Sequence, residues 1–379
     1  MAIFKKRSDR TTGENPGEGG QRRYRVDTFA AVSLKGNPLG SPFERVVRIY
    51  LPPGYFEEPR RLFPVVYLLH GYGADGGSPM IDSRRALRKR HPLWLRILFH
   101  RIFSSLLTFE ELDRLILGGL LPPFILAQPD ASLHRPNIHG VRQLDGRVSI
   151  KGSLYIDSPS SGRYAAYVFE DVPDYVEGHY RTTGDRYGRS LMGGSMGGYG
   201  ALLGGILHPE LFQAIAALSP GIGFLDLLDV RLLVPLNRRL LGRSKAAEMG
   251  CSELGDILDT CDLVLSASRP LLPSLRRDET GRAVQMDGSA RDNWARFDLG
   301  AQLDSHSEAF RGVRLLFNCA RADEFALAGP CRRFHGQLRK RGIEHGFEIY
   351  SDRKAERISP HVLGIAWHLL PALRFCLGA

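Results

Sequence analysis

Short, nearly uninterrupted apolar runs recur along the chain and alternate with stretches whose apolar positions repeat at helical spacing. The runs fall at 46–51 (VVRIYL), 63–69 (FPVVYLL), 124–130 (FILAQPD), 189–194 (RSLMGG), 213–220 (QAIAALSP), 313–320 (VRLLFNCA) and 347–351 (FEIYS). A run without polar alternation predicts a strand buried on both faces, as in a parallel sheet covered by helices. Helical spacing predicts helices over 172–180, 197–207, 329–341 and 362–376. Strand and helix in turn predict an α/β fold with a mostly parallel central sheet. No segment repeats.

Two stretches break the rhythm. Residues 83–108 are basic and apolar, and residues 221–300 are rich in Leu and Arg, with a polar stretch over 276–292. Ligands of open α/β sheets bind beyond the carboxyl ends of the strands, and insertions near the active site are expected there. In the first insertion Pro92 suits an opening helical turn. Leu95, Leu98, Phe99, Ile102 and Leu106 then share one helical face, with Arg96, His100 and Ser104 on another. Thr108 and Glu111 form a capping box that starts a further helix. A basic cluster followed by an apolar face fits a lid or a partner-facing helix; it also fits peripheral membrane contact through 84–107.

Composition narrows the function more than the fold. The chain has 379 residues, 43% hydrophobic and 24% charged, enough for one large domain with a sizeable core. Residues 1–23 are charged and Gly-rich and lack the apolar centre of a secretory signal, so they are expected to form a disordered basic tail before a single domain over 24–379. No run is long enough to span a bilayer. Five scattered cysteines without CxxC spacing argue against a zinc site or disulfide scaffold and for a cytoplasmic protein, membrane-associated at most through 84–107. The net charge of +10 is concentrated in the tail and in 84–101. No nucleic-acid motif accompanies it, so nucleic acid is not an expected partner.

The chemistry centres on Gly193-Gly194-Ser195-Met196-Gly197, a G-x-S-x-G turn between a predicted strand and a predicted helix. Such a turn exposes the serine hydroxyl and aims free helix N–H groups at the reacting carbonyl. A serine needs a base, and the base needs a carboxylate, in the chain order Ser, acid, His. Strand 313–320 is followed by Asp323, the preferred acid, and by Glu324, the reserve. His361 lies where a loop meets the last helix; His368 falls inside that helix and His345 at the wrong end of the last strand. The oxyanion hole is expected from the backbone N–H of Met196 and of Tyr72, with Gly73 as the alternative to Tyr72. His70 is expected to brace that loop.

These residues resemble the esterase D family of α/β hydrolases, which includes S-formylglutathione hydrolases, enterochelin esterases, feruloyl esterases and secreted mycolyltransferases. The resemblance rests on VVRIYLPPGY with FPVVYLLHGYG, on GSLYIDSPSSGRYAAYVFEDVPDYVEGHYRTTGDRYGRSLMGGSMGGYGALL, on HPELFQAIAALSPG, and on CARADEF through SPHVLGIAWHLLPALRF. It implies the α/β-hydrolase fold and a triad of Ser195, Asp323 and His361. It also implies an oxyanion hole at Tyr72 and Met196, a small-molecule ester substrate, and neither metal nor organic cofactor. Ser359-Pro360 replaces a glycine pair common before the family's histidine, and Cys319-Ala320 replaces Cys-Gly. The stretch GSLYIDSPS is similar to one in S-formylglutathione hydrolases and makes Tyr155 and Asp157 candidate substrate contacts; the alternative for Tyr155 is packing on the sheet. The expected activity is that of a serine carboxylesterase working through an acyl-enzyme. An acyltransferase or an S-formylglutathione hydrolase-like thioesterase would use the same residues. A non-catalytic binding protein on this scaffold would lack a triad member, and none is missing.

Overall fold

Every apolar run named above is a strand in the computed structural model, which describes residues 23–72, 81, 107–133, 152–226, 257, 260–265, 275–277, 283–286, 288–352 and 359–379. The strands are β2 (Glu44–Tyr50), β3 (Val65–Leu69), β4 (Ile125–Pro129), β5 (Arg189–Gly194), β6 (Ala214–Leu218), β7 (Arg314–Ala320) and β8 (Gly346–Tyr350). A further strand, β1 (Tyr24–Ala30), precedes them and pairs antiparallel with β2. Its sequence, YRVDTFA, carries no apolar run, because an edge strand is covered on one side only and tolerates charge.

The sheet order is β1-β2-β4-β3-β5-β6-β7-β8. Strands from β4 to β8 in that order are mutually parallel, and β2 joins β4 antiparallel. The register aligns the carboxyl ends: Leu69 opposite Gly193, Gly194 opposite Leu218, Leu218 opposite Asn318, and Ala320 opposite Tyr350. The loops leaving β3, β5, β6, β7 and β8 therefore emerge in one row.

Successive strand residues point to opposite faces, and both faces are buried. Val65, Tyr67 and Leu69 belong to one apolar cluster with α2 (Val172–His179), α3 (Met196–Leu207) and α6 (Ala328–Lys340). Val66 and Leu68 belong to the other, with α1 (Phe109–Leu117) and α7 (Pro360–Leu377). Of two helices between α3 and α6 in the chain, α4 (Gly288–Arg296) lies in the second insertion and α5 (Leu299–Ser305) starts at its end. Thr108 caps α1 as its spacing predicts, its side chain accepting the Glu111 N–H at 3.2 Å. The helix ending in α2 starts earlier than its predicted boundary, through Tyr164–Ala166 and a wide turn over Tyr167–Asp171. The tail, the helix expected over 92–106 and Gly73 lie outside the described residues. Among the described residues no helix is long and apolar enough to cross a membrane.

Candidate active site

Ser195 occupies the single residue between β5 and α3, with φ 56° and ψ −121°. A side chain at positive φ is strained, and such strain persists only where surrounding contacts over-determine it. Three backbone bonds do so here. The Ser195 N–H donates to the Leu218 carbonyl at 2.9 Å, and its own carbonyl accepts from Tyr199 at 3.0 Å and Gly221 at 2.8 Å. The glycines of the turn permit close crossing of strand and helix: a β-carbon at Gly197 would fall 2.1 Å from the Leu69 carbonyl oxygen. The serine is half-buried. Met196 opens α3, so its N–H has no acceptor within the helix and points with the positive end of the dipole.

The loop after β3 runs against this turn; a β-carbon at Gly71 would stand 3.6 Å from the Ser195 Cβ. Its shape is held from behind. The Ala131 N–H donates to His70 Nε2 at 3.0 Å, which makes Nε2 the bare nitrogen. Nδ1 then carries the proton and donates to the Gly71 carbonyl at 2.9 Å. The Tyr155 hydroxyl donates to the His70 carbonyl at 2.8 Å, and burial pushes that phenol well above its usual pKa, so it remains a donor. Ala131 is anchored in turn by Arg45 of β2, a fully buried guanidinium. Arg45 donates to the carbonyls of Asp130 (2.6 Å) and Ser132 (2.8 Å) and faces the rings of Tyr164 and Tyr167.

The second insertion reaches the same loop. The Tyr72 hydroxyl and the Thr260 hydroxyl bond at 2.7 Å, and Thr260 is fully buried. On the helix side of Ser195, the Tyr199 hydroxyl donates to the Phe297 carbonyl at 2.8 Å. The insertion is thus pinned on both flanks of the serine.

Asp323 and His361 meet beyond β7 and β8. His361 Nδ1 lies 2.7 Å from Asp323 Oδ2, with the two side chains 5% and 0% exposed. The other Asp323 oxygen accepts the Phe325 N–H at 3.0 Å, and the Phe325 ring sits edge-on to the imidazole at 4.9 Å. A carboxylate only accepts, so Nδ1 carries the proton and Nε2 presents its lone pair. Glu324 binds the main chain around the same histidine. Its carboxylate accepts the His361 backbone N–H at 2.7 Å and the Ser359 hydroxyl. Burial raises the Glu324 pKa, and the neighbouring imidazole opposes the shift without cancelling it. His368 bonds the Gly364 carbonyl within α7, and His345 pairs with His335 at the amino end of β8.

Tyr155 is buried and Asp157 exposed. Consecutive left-handed residues, Leu154 and Tyr155 at φ 56° and 57°, turn the Tyr155 ring inward, where it is fully buried against Gly200 of α3. Packing is the alternative observed, and the ring acts on the site through the His70 carbonyl. Asp157 accepts the N–H groups of Ala165 (2.8 Å) and Ala166 (3.1 Å) and so starts the helix leading into α2. Sequence reasoning missed Arg45 and Thr260. An arginine beside the strand run VVRIYL was the available signal for the first; nothing local marks the second.

A family model described as Putative esterase matches residues 42–356. Among solved structures, an S-formylglutathione hydrolase from Agrobacterium tumefaciens is 17% identical over 96% of this chain and 99% of its own, with a TM-score of 0.51. That likeness shows the α/β-hydrolase fold. A ferulic acid esterase is 20% identical over 92% of this chain and 97% of its own, TM-score 0.48. A fluorophosphonate-binding serine hydrolase from Staphylococcus aureus is 16% identical over 92% and 98%, TM-score 0.48.

Proposed function

The chain belongs to this esterase family and is an enzyme that hydrolyses esters, and from that premise we propose that it is a serine carboxylesterase acting through Ser195, His361 and Asp323. Ser195 Oγ attacks the ester carbonyl while His361 Nε2 takes its proton. Asp323 holds the imidazole in the right tautomer and offsets its charge. The N–H groups of Met196 and Tyr72 receive the oxyanion. The imidazolium returns the proton to the departing alcohol, and water then clears the acyl-enzyme by the same steps in reverse. Small-molecule esters are the substrates, and the insertion pinned through Thr260 bounds the acyl cleft. The buried free thiols Cys261, Cys319, Cys331 and Cys376 support a reducing, cytoplasmic location.

The observation that carries this reading is the 2.7 Å Asp323–His361 pair beyond the same sheet edge as the strained Ser195. The test is turnover of p-nitrophenyl acetate together with labelling by a fluorophosphonate. Ser195→Ala is expected to fold, to lose labelling and to lose at least about 10⁴-fold in kcat. Undiminished turnover in that variant overturns the proposal.

A further inference from the structure

His361 is the second residue of α7, a position with two physical liabilities. Its backbone N–H is among the first four of the helix, which have no intrahelical acceptor. The positive end of the helix also disfavours an imidazolium, the form His361 takes once it accepts a proton. Glu324 answers both. One carboxylate oxygen accepts the His361 N–H at 2.7 Å, and the other accepts the hydroxyl of Ser359, the residue that caps α7. Ser359 Oγ accepts the Val362 N–H at 3.2 Å in turn, so the peptide from Ser359 to Val362 is closed on itself and on the loop after β7. Asp323 and Glu324 are adjacent, yet one binds the imidazole and the other the main chain of the same histidine.

We propose that Glu324 is a positioning residue for His361 and the second counter-charge of its imidazolium. The inference rests on the reading of His361 as the base. The titratable groups around the pair come from several elements: Asp323 beside Glu324, Cys319 on β7, Cys331 on α6 and Tyr350 on β8. Burial pushes the two groups on the strands, the Cys319 thiol and the Tyr350 phenol, well up, so both stay neutral at working pH. The negative charge facing His361 is therefore that of Asp323 and, above the raised pKa that burial gives it, of Glu324. A carboxylate favours the protonated imidazole, so removing its charge lowers the His361 pKa. The base is active when neutral, so the acid limb of kcat/KM moves to lower pH.

Two variants separate the two roles. Glu324→Gln keeps an oxygen for the His361 N–H and removes the charge; Glu324→Ala removes both. The His361 ring is titrated by NMR in protein carrying isotope-labelled histidine, its signal identified by its loss in His361→Gln. In Glu324→Gln the titration is expected about one pH unit lower than in wild type, with the acid limb of p-nitrophenyl acetate hydrolysis shifted equally. In Glu324→Ala, kcat is expected to fall by roughly tenfold or more with KM little changed, and Gln is expected to restore most of that loss. An unshifted His361 titration in Glu324→Gln overturns the counter-charge. A wild-type kcat in Glu324→Ala overturns the positioning role; if that variant does not fold, the Gln titration decides. Failure of the underlying reading gives a different result: a wild-type acid limb that does not follow the His361 titration, whatever Glu324 does to it.

Discussion

Ser195 sits in a conformation that glycine adopts freely and other residues resist, φ 56° and ψ −121°. The strain places the hydroxyl at the open end of the sheet and costs about 1–3 kcal/mol. Ser195→Gly is therefore expected to be inactive and more stable than wild type by about 1 kcal/mol, read from urea midpoints at constant m-value. An equal or lower midpoint would mean that the turn is not strained. The serine was legible in the sequence because its chemistry is local: a strand, one residue, a helix, and glycines where the two cross. The carboxylate that pairs with His361 was legible only to within one residue. Asp323 and Glu324 are adjacent, equally charged and equally close to the strand end, and their roles diverge in contacts with a loop more than thirty residues on.

Arg45 shows the same limit for an element. It lies in β2, next to an apolar run, and its guanidinium is buried against carbonyls of the loop that follows β4. That loop donates the Ala131 N–H to His70, which bonds Gly71 beside Ser195. Strand β2 thus supports the loop after β3 through a chain of hydrogen bonds. Arg45→Met leaves buried carbonyls without their donor and is expected to cost about 3–5 kcal/mol, measured by chemical denaturation. A fall in kcat at temperatures where the variant is fully folded would report the displaced loop. A loss under 1 kcal/mol would show that water replaces the guanidinium. The elements themselves were mostly legible, because a strand covered on both faces has a composition of its own. β1 was not, since an edge strand shares its polar alternation with loops.

At the scale of the whole molecule, the second insertion is joined to the part of the fold that carries Ser195 through Tyr72–Thr260, Tyr199–Phe297 and the Arg333–Asp226 ion pair. Asp298 lies at this junction, where it caps α5 through the Gly300 N–H. Burial raises its pKa, with Asp226 adding to the shift and Gly300 and Arg333 opposing it. The folded state then holds a proton that the unfolded chain, with a carboxyl near pKa 3.9, releases earlier. More protons bound in the folded state means that stability falls as pH rises from about 4 through the raised folded value. Asp298→Asn removes that contribution. The stability of the variant minus that of wild type is expected to increase with pH across this window and then level off. A pH-independent difference in urea titrations between pH 4 and 7 would contradict it.

The sequence by itself determined the α/β alternation, seven of the eight strands of the central sheet and the serine turn, and it singled out His361 over His345 and His368. Those follow from period, from turn sterics and from position relative to a neighbouring element, all local quantities. Only the tertiary structure decided that Asp323 takes the imidazole and Glu324 the main chain, that Tyr155 is a buried brace, and that Thr260 meets Tyr72 across 188 residues of chain. Such pairs are set by the strand order and by the aligned carboxyl ends of β3, β5, β6, β7 and β8. A sheet whose neighbours are not consecutive in sequence brings together loops that no local pattern connects.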